Sequence, residues 1–329
     1  MKKILSFVLA LVMILSLSTV VFAADEEAPA ALKSEANENA MPIPVICYTT
    51  GGDEVYPAET LTFSVEADTS NPTNAMITVD DLFIDSDYAE AAIALPAYDT
   101  VGVYYYTISM DEGSSQGVTY ESAVMKVAVY VTYNYDEGKL DAQIRATRPE
   151  GSNFKVEDFG NMYGLGHLTV KKTISGNLAS DSQYFDVTVT FDAEGNVASD
   201  ITVSGGSNTS NPTSIEAGWT GEKVVSVKLK ADETLTFANI PVGVTYTVEE
   251  AAAHAEDDAT GSDAAKGYEV TYTGAEGVIE TEETAAAVIN NEKAVEVATG
   301  ISLDSMPYIM ILAVVAGAFV LTSFKKREV

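Results

Sequence analysis

The stretch Leu168-Thr169-Val170-Lys171-Lys172-Thr173-Ile174-Ser175-Gly176 alternates apolar and polar residues and ends at a glycine. Alternation with a period of two is typical of a β-strand with one buried face, because successive side chains point to opposite faces. Leu168, Val170 and Ile174 share one face, and Lys172 falls on that same face. The pattern therefore predicts a strand with a lysine among its inward-facing residues.

Two further polar positions occur where the same alternation predicts apolar residues. Glu250 ends a run in which Tyr246 and Val248 share its face. Asn290 and Asn291 end a later run, and the sequence leaves open which of them faces inward, because a shift of one residue exchanges the faces. A lysine and a glutamate buried together are costly unless they are paired. The alternative is that these strands end at the polar residues, which then point into water.

A dry interior would make these three types of side chain reactive towards each other. Desolvation disfavours charged forms, so a buried lysine loses its proton more readily and a buried carboxyl group keeps its proton. A neutral amine held against an asparagine amide can attack its carbon, while a protonated glutamate hydrogen-bonds the amide oxygen and shuttles protons. The product is a lysine–asparagine isopeptide bond, formed with loss of ammonia and without any cofactor.

Alternating runs rich in β-branched and aromatic residues occur along most of the chain, separated by turn signals such as Gly51-Gly52 and Asp136-Glu137-Gly138. No long amphipathic helix is indicated, although residues 85–94 are compatible with a short one. The pattern predicts an all-β chain with two tandem immunoglobulin-like β-sandwiches, at residues 41–163 and 164–293.

Both ends of the chain carry targeting signals. Residues 1–23 combine a basic start, an apolar stretch and a small-residue cleavage site, which predicts a secretory signal peptide. Residues 24–40 are rich in Ala and Glu and are expected to form a flexible leader. The uncharged run Tyr308–Phe324 would be roughly 26 Å long as a helix, enough to cross a bilayer core. A transmembrane helix at 307–324 with a basic tail is therefore expected within the C-terminal segment 294–329.

Composition excludes several classes of function. The chain has 49 acidic and 18 basic residues, and a net charge of −31 repels nucleic acid. Cys47 is the single cysteine, so an exported form has no internal disulfide. The turn at 192–196 lacks the ligand spacing and the glycine position of a calcium loop, and the acidic residues around His254 are expected to form a solvated loop. No grouping of residues is typical of an enzyme that acts on an external substrate.

Four motifs, in this order along the chain, resemble those of the major shaft pilins of Gram-positive bacteria, which consist of tandem immunoglobulin-like domains polymerised by sortase. Gly102–Tyr106 and Gly117–Tyr120 resemble the first domain of the streptococcal type. Leu168–Gly176 and Pro241–Glu250 resemble its second domain. The resemblance implies a non-enzymatic structural subunit of a cell-surface pilus, which is exported through the Sec pathway and then linked to other pilin copies and to cell-wall peptidoglycan.

The resemblance also implies roles for individual residues of the second domain. Lys172 would be the nucleophile, Asn291 or Asn290 the electrophile, and Glu250 the catalytic acid of a self-catalysed isopeptide bond. Such a bond would tie the first strand of the domain to the last and substitute for the absent disulfides.

A sorting motif is the second implied site. Glu296-Val297-Ala298-Thr299-Gly300 resembles the motif of these pilins, in which a proline usually stands at the position of Ala298. Sortase would cut between Thr299 and Gly300 and join Thr299 to an amine of the next subunit. Lys155 is the candidate for that amine, because in related pilins a lysine stands a few residues before the closing asparagine of the first domain.

The first domain departs from the pattern of its relatives. Its opening strand contains no lysine, and Cys47 or Tyr48 stands near the expected place. Met110 stands where the glutamate belongs, so of the three groups only Asn161 remains. We therefore predict the same sandwich without an isopeptide bond.

A wall- or membrane-anchored adhesin of the same fold is the alternative function. An unknown host ligand would then bind to surface aromatics, for which Trp219 and the tyrosine-rich strands are candidates. The tyrosines at 104–106 are more easily explained as ordinary strand residues.

Overall fold

The computed structural model describes residues 32–147, 158–251, 267–281 and 284–294. Every helix or strand assigned within these ranges is a β-strand, so the all-β prediction is confirmed. Within the same ranges, no helix is long and apolar enough to span a membrane. The strands are β1 (Asn37–Thr50), β2 (Glu59–Leu61), β3 (Phe63–Ala67), β4 (Thr78–Val79), β5 (Leu82–Ile84), β6 (Tyr88–Leu95), β7 (Gly102–Met110), β8 (Val118–Thr119), β9 (Val124–Asn134), β10 (Lys139–Thr147), β11 (Phe159–Ser175), β12 (Phe185–Val197), β13 (Ile201–Gly205), β14 (Ser214–Ile215), β15 (Trp219–Leu229), β16 (Thr234–Pro241), β17 (Thr245–Glu250), β18 (Glu269–Thr273), β19 (Glu276–Val278) and β20 (Thr284–Glu292).

Two facing sheets form the first sandwich. One sheet has the order β10-β9-β7-β3, and in the other β1 lies between β6 and the first part of β11. Inward-facing side chains from both sheets, including those of Ile43, Ile93, Tyr104, Ile108 and Val129, are fully buried in one apolar core. Burial of alternate residues in each strand explains why the period of two was visible in the sequence.

The second sandwich has the same plan. One sheet has the order β15-β12-β17-β19, and the other places β11 between β16 and β20. Its core contains Val170, Val189, Phe237, Val248 and Ile289. Positions 172, 250 and 291 lie at the margin of this core, each on a strand whose preceding inward residues are apolar.

β11 belongs to both sandwiches. Its first part pairs in parallel with β1, from Val45↔Phe159 to Thr50↔Gly164, and its second part pairs in parallel with β20, from His167↔Thr284 to Ser175↔Glu292. The domain boundary expected between residues 163 and 164 therefore falls inside one uninterrupted strand. A single ten-stranded sheet thus runs through both domains.

Two sequence-based expectations about local structure were wrong. The leader expected at 24–40 is already a strand from Asn37, and Ser34 is buried because its hydroxyl accepts the N–H of Tyr98 at 2.8 Å. The short helix considered at 85–94 is instead largely β6, in which alternate residues such as Ala91 and Ile93 are buried against β1. In both places tertiary packing outweighs local propensity. The signal peptide, the sorting motif and the transmembrane segment lie outside the described residues.

Hydrogen bonds outside β11 also join the two domains. The side-chain amide of Gln116 donates to the carbonyl of Val242 at 2.8 Å and accepts the N–H of Gly195 at 2.8 Å. Its backbone N–H donates to the carbonyl of Asn196 at 2.8 Å. The neighbouring Gly117 has a φ of 77°, and a Cβ there would lie 2.8 Å from a backbone oxygen, so this approach requires glycine. These contacts hold the loop before β8 against the second domain.

Gln116→Ala should lower the free energy of unfolding, because it removes two hydrogen bonds and leaves the Val242 carbonyl and the Gly195 N–H without their partner. We expect a loss of about 1–3 kcal/mol. Urea denaturation of the ectodomain measures it, with Gln143→Ala on the exposed face of β10 as the matched control. Equal midpoints for the two variants would show that the junction does not depend on Gln116.

Candidate functional site

Lys172 lies in the second half of β11 with its side chain fully buried. β20 lies on one side of it, with Ile289 as the Cα partner of Lys172. On the other side, the backbone N–H of Lys172 donates to Glu233 and its carbonyl accepts the N–H of Asp232, both at 2.9 Å. The backbone is therefore fixed on both edges, and the long side chain can extend only into the space between the sheets.

Glu250 reaches the same space from the opposite sheet. It ends β17, where its Cα partner is Val187 of β12, and its side chain is 1% exposed. Its Oε2 lies 2.8 Å from the Nζ of Lys172. Its Oε1 accepts a hydrogen bond from the Nδ2 of Asn291 at 2.7 Å. One carboxyl group thus touches the nitrogen atoms of both neighbours.

Asn291 and Asn290 have different environments. Asn291 is fully buried, and its Cα partner is Ile174, two residues beyond Lys172, so the two side chains meet diagonally on the inward face. The side-chain oxygen of Asn290 instead accepts a hydrogen bond from the hydroxyl of Thr173 at 3.0 Å, on the other face of the sheet. The structure brings Lys172, Glu250 and Asn291 together and does not bring Asn290 to them.

The electrostatics of this site favour a neutral amine. Burial lowers the pKa of Lys172 below its ordinary value, although the contact with Glu250 acts in the opposite direction. The ring centroid of Phe185 is 4.6 Å from the Nζ. The Nζ of Lys172, the Oε2 of Glu250 and the Oδ1 of Asn291 are buried without an aligned hydrogen bond. Buried polar atoms of this kind are rare in folded proteins and often mark reactive sites.

The arrangement can transfer protons between the attacking and leaving groups. Attack of the Lys172 Nζ on the side-chain carbon of Asn291 requires that a proton leaves the Nζ and that a proton reaches the Nδ2, which departs as ammonia. The two oxygens of Glu250 contact these two nitrogens. We expected the carboxyl group of Glu250 to contact the amide oxygen of Asn291, whereas it contacts the amide nitrogen.

The corresponding place in the first domain is apolar. Asn161 is 2% exposed, and its Nδ2 lies 3.9 Å from the sulfur of Met110, as the Nδ2 of Asn291 lies against Glu250. Asn161 is the Cα partner of Cys47, so the residue two positions earlier, Val45, occupies the place of Lys172. Cys47 or Tyr48 was expected there. That expectation was wrong, because the pairing register of β1 with β11 places Val45 at this position.

Two other nucleophiles, the amine of Lys33 and the thiol of Cys47, are not suited to a cross-link in the first domain. Lys33 is exposed. Burial and the charge of Glu59 raise the pKa of the Cys47 thiol to about 11, which keeps it protonated at neutral pH. The side-chain oxygen of Asn161 accepts the N–H of Glu121 at 3.0 Å, so its amide is held without any charged partner.

Other predicted sites are not part of the described structure. Lys155 and the motif Glu296–Gly300 lie outside the described residues. Among the residues that are described, no group of His, Cys, Asp or Glu side chains could hold a metal ion. Two residues at the site were missed from sequence: Phe185, which begins the alternating run of β12, and Tyr272, whose position nothing in the sequence indicated.

Comparison with known proteins agrees with the two-domain architecture. Residues 48–164 match the family described as Spy0128-like isopeptide containing domain. Residues 166–293 match a domain family of unknown function, DUF7601. A pilin of Streptococcus pyogenes serotype M1 is 28% identical over 253 residues, covering 74% of this chain and 71% of that protein.

One solved structure supports the same fold. The major pilin protein T3.2 of Streptococcus pyogenes serotype GAS13637 superposes with a TM-score of 0.50 and 23% identity, covering 78% of this chain and 99% of that one. Another major pilin of Streptococcus pyogenes has a TM-score of 0.49 and 21% identity, covering 80% and 99%. The resemblance to Gram-positive pilins that the sequence motifs indicated is thereby confirmed.

Val45→Lys combined with Met110→Glu should create a second cross-link, because these substitutions place an amine and a carboxyl group beside Asn161. Intact-mass measurement should then show a loss of about 34 Da, two molecules of ammonia, against about 17 Da for the parent chain. Asn161→Ala in the same double variant is the control and should return the loss to that of the parent. A folded double variant without the additional loss would contradict the equivalence of the two sites.

Proposed function

We propose that this protein is the structural subunit of a sortase-assembled, cell-wall-attached pilus, and that its second domain is braced by an isopeptide bond between Lys172 and Asn291. The observation that carries the proposal is the position of Glu250, whose two carboxyl oxygens contact the nitrogens of both residues in a buried site. The similarity to streptococcal pilins supports the assignment to a pilus.

The proposed bond forms without an external reactant. The neutral Nζ of Lys172 attacks the Cγ of Asn291, Glu250 accepts a proton from the Nζ and returns one to the Nδ2, and the Cγ–Nδ2 bond breaks. One amide replaces another, and one ammonia is released. The protein is in this sense its own single-turnover catalyst and acts on no other substrate.

The bond would stabilise a domain that has no disulfide. Closing a loop of roughly 119 residues contributes about 4–5 kcal/mol to the free energy of unfolding, by the chain-entropy estimate used for disulfides. Cys47 is the only cysteine of the chain, so no disulfide within the chain could serve the same purpose. Because β11 and β20 are parallel neighbours, the bond would join adjacent strands at little cost in strain.

Polymerisation would use the two ends of the second domain. We propose that sortase cleaves after Thr299 and joins it to Lys155 of the next subunit, with the last subunit transferred to peptidoglycan. Lys155 precedes β11 by a few residues, and Thr299 follows β20 by a few residues. Tension in the fibre would then pass along β11, across the Lys172–Asn291 bond and out through β20.

Intact-mass measurement of the purified ectodomain tests the cross-link. The mass should be about 17 Da below the sequence value, and Lys172→Ala should abolish this loss and lower the melting temperature. Lys171→Ala is the matched control, because the adjacent side chain is exposed and should leave the mass loss unchanged. A parent chain at its full sequence mass would refute the isopeptide proposal.

An immunoblot of cell-wall extracts tests polymerisation separately. A pilus subunit should give a ladder of high-mass species that survives boiling in detergent, because its links are covalent. Lys155→Ala should collapse the ladder, whereas Lys33→Ala, at an exposed lysine of the leader, should preserve it. A single wall-linked band for the parent chain would favour the anchored adhesin.

A further inference from the structure

Tyr272 connects the two sheets beside the candidate cross-link. Its hydroxyl accepts the backbone N–H of Glu250 at 3.0 Å. Tyr272 belongs to β18 and is the Cα partner of Ile289 in β20, two residues before Asn291. One side chain therefore connects β18, the strand paired with the asparagine strand β20, to the backbone of the glutamate in the opposite sheet.

This contact occurs where the backbone support of β17 is incomplete. β12 pairs with one edge of β17 as far as Glu250, whereas the described part of β19 pairs with the other edge only at Thr245–Thr247. Beyond it, Val248 donates its N–H to the carbonyl of Ala275, and Glu250 donates to Tyr272. The hydroxyl of Tyr272 thus takes the place of a neighbouring strand at the residue whose side chain enters the site.

We propose that Tyr272 is a positioning residue for the cross-linking reaction and acts by holding Glu250 in place. This inference rests on the proposed isopeptide bond. Glu250 must keep one oxygen 2.8 Å from the Nζ of Lys172 and the other 2.7 Å from the Nδ2 of Asn291. Displacements well below the length of a hydrogen bond strongly slow a reaction between positioned groups. The anchoring of the glutamate backbone therefore affects the rate of cross-linking more than it affects folding.

The Tyr272 side chain lies at the surface, beside the buried glutamate. Tyr272 is 43% exposed, and it lines a surface groove together with Thr247, Glu249 and Glu276 on the outer side of Glu250. The side chain of Glu250 nevertheless remains only 1% exposed. Tyr272 and Glu250 therefore line the same groove, and the tyrosine hydroxyl contacts the glutamate backbone there.

Tyr272→Phe tests the proposal, because it removes the hydroxyl and keeps the ring. Tyr268→Phe is the matched control, since its hydroxyl also accepts a backbone N–H at 3.0 Å, from Ser180, but does not contact Glu250. Each full-length ectodomain is made in a short cell-free pulse, collected in urea before it folds, and refolded by dilution at a series of pH values. Acid-quenched samples are analysed by intact mass for the loss of ammonia.

We expect Tyr272→Phe to form the cross-link about three- to tenfold more slowly than the parent chain, and Tyr268→Phe to match the parent. The pH of half-maximal rate should move down in Tyr272→Phe only, because a carboxylate held less closely stabilises the ammonium form of Lys172 less. Tyr272 and Lys172 are the titratable groups shown in contact with Glu250.

The same two tyrosine variants made in a Lys172→Met background, in which no cross-link forms, distinguish a positioning role of Tyr272 from a contribution to folding alone. There the two tyrosine variants should have the same melting temperature. Equal rates for Tyr272→Phe and the parent, or equal slowing in both tyrosine variants, would overturn the positioning role. Absence of the mass loss in the parent chain would instead refute the isopeptide bond itself.

Discussion

The buried contact between Lys172 and Glu250 is the interaction on which the second domain depends. The two side chains are 0% and 1% exposed, and removing an ion pair from water to this extent costs several kcal/mol per ion. The interior therefore destabilises the ammonium form and favours the amine. Under the proposed function, amide formation would remove the charge altogether, because the lysine nitrogen would become part of a neutral group. The desolvation that favours the neutral amine would then no longer destabilise a charged group.

In the first domain, apolar residues stand in the places of both partners of that contact. Val45 and Met110 occupy the places of the lysine and the glutamate, and both are buried. Replacing a buried ion pair by apolar residues is often neutral or stabilising, whereas removing one partner leaves an unpaired charge and is strongly destabilising. Asn161 alone remains, because the N–H of Glu121 satisfies its side-chain oxygen without any charged group.

Much of this was predictable from the sequence, because alternate burial imposes a period of two on each strand. The all-β class and the two sandwiches followed from that period. The period also indicated inward positions for Lys172 and Glu250, although it left open that the strands end there and that both side chains point into water. The choice between Asn290 and Asn291 did not, because it depends on the pairing of β11 with β20. The same limit made Cys47 or Tyr48, rather than Val45, the expected counterpart of Lys172. Tyr272 was unpredictable, since its contact joins two sheets that meet only in the folded chain.

The continuity of β11 gives the two domains unequal mechanical roles under the proposed function. A load applied just before Phe159 and released after Asn291 would follow β11 to Lys172 and leave through β20. Strands β1 to β10 all precede that path in the chain, so they would be attached to the loaded strand and not stretched between its ends. A cross-link in the first domain would therefore add thermal stability but bear no axial tension. Under the proposed function, the first domain therefore has no mechanical need for the lysine and the glutamate, whereas the second contains all three groups.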